Sequence, residues 1–403
     1  MPATVQFLYG TCTLCYNPNR THKGASLTAS QAHPASSLDA NYDDQDRRFA
    51  AAFRLLEDAI AAHAFPAASV AVTHEGKLCV WRSMGRFTYA TDSPQPEPNT
   101  IFDLASLTKV IATTSMAMVL YERGLLDLDM PVISIVGEFA GEDPRRDEVT
   151  LRMLLAHSSG LPAYEKLFLR AHTRSELLAA AFSTELAVDP GARAEYSDIG
   201  FIILGIALER LADESIDRFC QREVFGPLGL TQTTFNPAAE LRSAIPPTAD
   251  DRSFRHRIIQ GEVQDENASV LGGVAGHAGI FSSAYDVARF AHALLQGGRP
   301  VFRPETVTLF GTREISPEGT SRALGWDTPS APSQSGRFFS ARSFGHLGYT
   351  GTSLWIDPER NVSITLLTNR TWPDCSNQAI KQVRPRFHDA VFEALALTNP
   401  SSG

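Results

Sequence analysis

The chain lacks an apolar run approaching the roughly 18 residues that a membrane-spanning helix needs. Its longest candidate, Ile199 to Leu208, is about half that length and holds two glycines, so it reads as a buried helix with no membrane span. Excess positive charge is missing too: 36 Lys and Arg against 45 Asp and Glu leave a net charge of −9. Nucleic acid and anionic lipid are therefore poor partners for the chain as a whole. Cysteine is sparse. The five thiols, Cys12, Cys15, Cys79, Cys220 and Cys375, are odd in number and irregular in spacing, which argues against a disulfide scaffold and fits a reducing compartment. A zinc site at the Cys12-x-x-Cys15 pair would want four ligands. Only His22 and His33 stand nearby, so the pair is read as two thiols on a tail, with no metal.

What is present is an ordinary globular composition, 43% apolar and 20% charged over 403 residues, enough for more than one folding unit. Residues 1–44 are rich in Ser, Thr, Ala, Pro and Asn with no apolar period and are predicted to be a disordered extension. Met1 to Gly10 lacks a basic n-region, and Phe7-Leu8-Tyr9 is too short for the h-region of a secretion signal. Cytoplasm is the default expectation.

Order is predicted from about Asp46, where Phe49, Phe53, Leu56 and Ile60 recur at helical spacing. The runs Ala68 to Thr73 and Leu78 to Trp81 flank His74-Glu75-Gly76-Lys77, a hairpin pattern. A helix is expected over Ser106 to Arg123, capped by Gly124. Helical pieces follow at Leu151 to His157, Ser175 to Phe182, Ile199 to Leu211 and Ile216 to Val224. Strand patterns return at Gly279 to Ser282, Ser343 to Gly348, Ser353 to Ile356 and Val362 to Thr368, before a last helix at about Val383 to Leu397. The fold class this implies is α+β: an α/β/α sandwich with a central antiparallel sheet. It would be built discontinuously from 45–125 and 268–403, with 126–267 as a mostly helical insert.

Lysine is the scarce cation, five residues among the 36 Lys and Arg. A chain that meets most needs for positive charge with arginine keeps a lysine where the amine must lose its proton. Only Lys109 has a serine three residues before it, Ser106, and positions three apart share a helix face. Burial would lower the lysine's pKa and make it a base for the Ser106 hydroxyl. Ser106 opens its helix, where free N–H groups favour a developing oxyanion. A second element, Tyr196-Ser197-Asp198, follows the turn Asp189-Pro190-Gly191 and begins an apolar helix. Its phenol would ionise more easily beside an ammonium, and Asp198 would position or neutralise the lysine. Ser197 or Asp198 would also serve as an N-cap. The third element runs from Gly345 through His346, Leu347, Gly348 and Tyr349 to Thr352. Its small residues would let a strand edge approach a substrate, with His346 as donor or proton shuttle.

These three elements, Ser106-x-x-Lys109, Tyr196-Ser197-Asp198 and His346-Leu347-Gly348, resemble the three motifs of the serine β-lactamase and penicillin-binding protein superfamily. Their order and wide spacing are those of its class C-like, β-lactamase-related branch. Leu154 to Pro162, Phe225 to Leu230 and Gly351 to Pro358 resemble supporting segments, so the likeness covers roughly 46–397. Two positions depart from the pattern: Asp198 stands where Asn is common, and His346 where Lys is common. A neutral histidine anchors a carboxylate poorly, so β-lactams are not the expected substrate. Gln264 to Asn267 and Arg384-Pro385-Arg386-Phe387-His388 resemble relatives tied to muropeptide recovery, although those often carry His at the position of Gln264.

The resemblance implies a serine hydrolase working through an acyl-enzyme, with no metal and no organic cofactor. Ser106 would be the nucleophile, Lys109 with Tyr196 the proton relay, and the amides of Ser106 and Tyr349 the oxyanion donors. Asp198, His346, Gly348 and Tyr349 would contact a small-molecule or peptide-like substrate. A muramyl-peptide amide or ester is the expected substrate, with small esters as an alternative. A slowly acylating binding protein or sensor is the rival of a different class. His157 is expected to cap its helix and pin the following loop, and the glycines around His277 to serve close packing. Oligomeric state is not encoded legibly.

Overall fold

The computed structural model describes residues 38–396. Cys12, Cys15 and the rest of 1–37 lie outside the described residues. Residues 38–44, assigned above to the extension, belong instead to the fold. Leu38 is buried, Asp39–Ala40 (β1) pairs in parallel with Lys77–Leu78, and the Tyr42 ring meets the Trp81 ring edge-on at 6.0 Å. A two-residue strand has no alternation to read, which is why the sequence pattern starts too late.

The hairpin follows as Ala67–His74 (β2) and Lys77–Gly85 (β3). Its two turn residues have positive φ, Glu75 at 50° and Gly76 at 79°, the backbone that matches the twist of the flanking strands. Three late strands, Phe344–Leu347 (β4), Ser353–Asp357 (β5) and Val362–Thr368 (β6), complete a sheet of order β1-β3-β2-β6-β5-β4. All neighbours are antiparallel except β1 with β3.

Both faces of this sheet are covered, so its central strands are apolar on both sides. Val70, Val72, Ile364 and Leu366 face the helices Ala50–Ala61 (α1) and Ile380–Ala394, burying Phe53, Leu56, Phe387 and Val391. Ala67, Ala71 and Leu367 face the other way, into the large core that includes Val287 and Ala291 of the helix Ala284–Leu295. Each fully buried Leu, Ile or Phe contributes about 1.5–3 kcal/mol. These paired faces therefore fix the sandwich and, with it, the place of the edge strand β4.

The predicted continuous helix from Ser106 is divided. A 3₁₀ turn at Ala105–Leu107 leads into a π-helical stretch at Lys109–Thr114 and then an α-helix, Ser115–Glu122. π-turns inside helices are common at functional sites. The segment 126–267 is not helix and loop alone. Thr234–Phe235 pairs with Ile280–Ser282, which also pairs with Phe102–Asp103, and Ala249–Asp251 pairs with Arg257–Ile259. The apolar run at Ile199 becomes the buried helix Asp198–Ala212. Among the described residues no helix is long and apolar enough to cross a membrane.

Candidate active site

The three sequence elements meet at one place. Ser106 follows Ala105, whose φ of 46° is unusual for a residue with a side chain. Four hydrogen bonds hold this turn. The Asp103 carboxylate accepts from the Ala105 N–H at 2.8 Å and from the Gln264 N–H at 2.6 Å. The Thr350 hydroxyl donates to the Asp103 carbonyl at 2.8 Å, and the Thr352 hydroxyl to the Leu104 carbonyl at 2.9 Å. Gly348 is small for a reason visible here. A Cβ added to it would lie 1.9 Å from Thr352 Oγ1 and 2.5 Å from the Leu104 carbonyl oxygen. The end of β4 is thereby pressed against the turn that carries Ser106.

Lys109 is fully buried. Its Nζ donates to Ser106 Oγ at 3.0 Å, to Asp198 Oδ1 at 2.6 Å and to the His277 carbonyl at 2.9 Å. Burial pushes the amine's pKa below the ordinary lysine value, and the Asp198 carboxylate opposes that fall. The Tyr196 phenol lies 2.7 Å from Ser106 Oγ and 3.0 Å from Asp198 Oδ1. The sequence expectation that this phenol ionises readily is reversed. Burial first, and the Asp198 carboxylate next, push its pKa well above the ordinary tyrosine value. Tyr196 is therefore a neutral hydroxyl that donates to one neighbour at a time.

The loop bearing Tyr196 is held from both sides. Ser197 is the N-cap of the helix Asp198–Ala212, its Oγ accepting from the Gly200 N–H at 3.0 Å and donating to the Pro162 carbonyl at 2.7 Å. His157 reaches the loop by two bonds: its Nδ1 accepts from the Ser197 N–H at 3.1 Å, and its carbonyl from the Glu195 N–H at 2.8 Å. Its ring lies 4.8 Å from that of Tyr196, and burial keeps it neutral by driving its pKa well below the ordinary histidine value.

His346 is buried on β4 with its ring 6.0 Å from Tyr196, its Nδ1 bonded to the Leu347 carbonyl at 2.8 Å and its Nε2 without a partner. Burial, with Lys109 and Arg322 adding repulsion, holds this imidazole far below its usual pKa. It is neutral and supplies no positive charge. Tyr349 is half-exposed at the rim. Ser106, Tyr196, Asp198, His346, Gly348 and Tyr349 all line one cleft of about 810 Å³, with Lys109 directly behind it.

Several lining residues were missed from sequence. His277 Nε2 lies 2.9 Å from Asp265 Oδ1, and this histidine, whose flanking glycines were expected to serve close packing, lines the cleft. Arg322 stands 5.6 Å from the Tyr196 ring centre and 3.6 Å from Asp327. Arg370 and Arg384 also line the cleft, Arg370 with its Nε donating to the Tyr349 carbonyl at 2.7 Å. Nothing in the local sequence marks Arg322 or Arg370, two of the chain's 31 arginines, whereas Arg384 falls in the segment Arg384 to His388 singled out by its resemblance.

A buried serine–lysine–tyrosine cluster at a strand edge, on an antiparallel sheet between helices, defines a serine hydrolase of the acyl-enzyme type. The family model described as Beta-lactamase matches residues 52–383; the chain belongs to this family, whose members hydrolyse amide and ester bonds. It is 32% identical over 317 residues to a protein of Salmonella agona (strain SL483) named "Putative D-alanyl-D-alanine carboxypeptidase", covering 70% of this chain and 72% of the relative. An identically named protein of Escherichia coli (strain K12) is 32% identical over 305 residues, covering 67% and 69%. Among solved structures, EstCE1, a hydrolase with promiscuous acyltransferase activity, superposes with a TM-score of 0.71 at 20% identity, covering 86% of this chain and 99% of that one. The octameric penicillin-binding protein homologue from Pyrococcus abyssi gives 0.68 at 20% identity, over 86% and 77%. These structural likenesses establish the fold.

Proposed function

We propose that Ser106 is acylated by an amide in a cell-wall-derived peptide and that water then releases the acyl group. The observation that carries this reading is the position of Ser106 Oγ, 3.0 Å from Lys109 Nζ and 2.7 Å from Tyr196 Oη. Neutral Lys109 takes the hydroxyl proton as Oγ attacks the carbonyl. The amides of Ser106 and Tyr349 hold the oxyanion. On collapse the C–N bond breaks, Tyr196 gives its proton to the leaving nitrogen, and the Lys109 ammonium restores it through the shared contacts at Asp198. Water repeats the sequence in reverse to free Ser106. His346, Gly348 and Tyr349 form the substrate-facing strand edge, where an extended peptide can pair by main-chain hydrogen bonds.

The preference for a peptide amide is supported by the name carried by the relatives at 32% identity and by the neutral state of His346, which removes the cation expected at the third motif. Unpaired Cys79, Cys220 and Cys375 fit a reducing compartment, which would suit the recovery of muramyl-peptides in the cytoplasm. The test is intact mass after exposure to a fluorophosphonate and to a panel of muramyl-peptides, short aryl esters and a cephalosporin. One adduct on Ser106 with the probe, and multiple turnovers with peptides, is the expected result. Acylation that stops at one equivalent with every substrate would instead identify a sensor. Cephalosporin turnover far above the other classes would displace the peptide.

A further inference from the structure

Lys109 is held by a backbone carbonyl as well as by side chains, and that carbonyl is itself held. The His277 carbonyl accepts from Lys109 Nζ at 2.9 Å. Two bonds fix the chain on either side of it. The Thr113 hydroxyl donates to the Gly276 carbonyl at 2.6 Å, and Thr108 Oγ1 accepts from the Ile280 N–H at 3.1 Å. Gly276 also lies so close to the helix Asp198–Ala212 that an added Cβ would stand 2.2 Å from the Phe201 carbonyl oxygen. The segment 276–280 is therefore pressed between the stretch that carries Lys109 and the helix that begins at Asp198.

The His277 side chain adds a third hold, and it ends on a charge. Its Nε2 lies 2.9 Å from Asp265 Oδ1. The same oxygen accepts from the Ala268 N–H at 2.7 Å, capping the short helix Glu266–Val270. Burial opposes ionisation of Asp265, but His277, the Ala268 N–H and Lys109 together hold its carboxyl below the ordinary value. A carboxylate can only accept, so His277 Nε2 is the donor of this pair.

Two carboxylates thus act on Lys109 from different distances. Asp198 touches the amine at 2.6 Å, whereas Asp265 reaches it through His277. The Tyr196 ring centre is 4.9 Å from Nζ, and Arg322 and the neutral rings of His157 and His346 lie within its electrostatic reach. Asp265 in turn is faced by Tyr164, Glu266 and Asp103. Burial drives the Lys109 pKa down, Asp198 and then Asp265 draw it up, and Arg322 lowers it further.

We propose that Asp265 is a positioning residue for Lys109: it anchors the His277 ring, so fixing the carbonyl that receives the amine, and it places a second negative charge behind that amine. The inference rests on the acyl-enzyme reading above, in which Lys109 must be neutral when Ser106 attacks. It adds to the three motifs a fourth group that touches neither Ser106 nor Lys109. Acylation rises with pH as the ammonium loses its proton, so the acid limb of the rate reports this amine. Deleting the Asp265 charge lets that proton leave at lower pH.

The test is the rate of Ser106 labelling by an uncharged fluorophosphonate, followed by intact mass on the full chain from about pH 5 to 10. Asp265→Asn keeps an oxygen for the Ala268 N–H and for His277 Nε2 and removes only the charge. Its acid limb should lie about 0.3–1 pH unit below that of the wild type, a smaller displacement than in Asp198→Asn, whose carboxylate touches the amine. His277→Ala should slow labelling on the alkaline plateau by about 10-fold, because the carbonyl loses its tether. His277→Gln, which offers an amide N–H at the same place, should recover to within about threefold of the wild type. The variants at 277 test the tether independently of the one at 265. An Asp265→Asn limb that coincides with the wild type or lies above it, while Asp198→Asn moves downward, overturns the inference and leaves Lys109 as the base. Equal rates in His277→Ala and His277→Gln overturn it as well. Limbs that coincide in the wild type, Asp198→Asn and Asp265→Asn overturn the base assignment and the inference with it, as does the absence of any labelling at Ser106.

Discussion

Two groups of buried cations at the cleft are treated in opposite ways. Beside Ser106, Lys109 Nζ is surrounded by three oxygens, one of them from the Asp198 carboxylate. Arg370 and Arg384, among the described residues, are met by backbone carbonyls and one side-chain amide oxygen. A lysine in such a cage can exchange its proton with the serine it touches, whereas a guanidinium keeps its charge and can only attract. On the acyl-enzyme reading, the proton moves where a carboxylate balances the cation, whereas the arginines hold a fixed charge that no carboxylate within ion-pair distance balances among the described residues.

The strongest way to break this comparison is at the nucleophile. Ser106→Ala should abolish turnover and fluorophosphonate labelling. The fold should survive, since the bonds of Ser106 Oγ run to the side chains of Lys109 and Tyr196 and cap no helix. Stoichiometric labelling of the alanine variant would remove Ser106 from the mechanism. Next comes Lys109→Arg, which keeps the positive charge and forfeits the neutral amine. Acylation should fall by about 10²–10⁴, the range for loss of a general base. Near-wild-type acylation would mean that Lys109 acts through its charge alone.

A smaller and more diagnostic effect is expected from Asp198→Asn. The carboxylate holds the Lys109 pKa up against burial and holds the Tyr196 pKa up as well. Removing its charge lets the lysine lose its proton at lower pH, so the acid limb of the kcat/KM profile should move to lower pH. An unmoved limb, or one displaced upward, would show that some group other than Lys109 titrates there.

How much of this was legible beforehand follows from chemistry that is local in the chain. Ser106 and Lys109 are one helical turn apart, so their contact could be read directly, and the scarcity of lysine made Lys109 visible. The position of Asp198 on that lysine, across 89 residues, was legible only through motif order. The same reasoning is blind at Arg370, because abundance hides it and its partners are backbone carbonyls, which every residue has, and it reached Arg384 only through a resemblance of the segment 384–388. Ionisation of Tyr196 was misjudged because the nearby ammonium was weighed without the burial that outweighs it. The start of the fold was missed because β1 is shorter than one period of a strand.

Asp103 offers the finest test, because it is the mirror image of Arg384: a buried anion with no cation within ion-pair distance among the described residues. It is held by the amides of Ala105 and Gln264 alone. Burial raises its pKa from the ordinary 3.8 to about 6, against those two amide bonds. Such a group keeps its proton in the folded state at pH values where the unfolded chain has already lost it. Its contribution to stability is therefore fully present below about pH 4 and is lost as pH rises through about 6. The separation corresponds to at most about 3 kcal/mol. Asp103→Asn removes the titration but sets an amide N–H₂ against the Gln264 N–H, so the level of stability should drop by about 1–3 kcal/mol. The slope is the readout. Between pH 4 and 6.5 the wild type should lose stability relative to the variant, measured by urea titration at each pH. Parallel curves would show that the turn before Ser106 carries its anion at no cost, leaving the charge imbalance at the arginines without a counterpart.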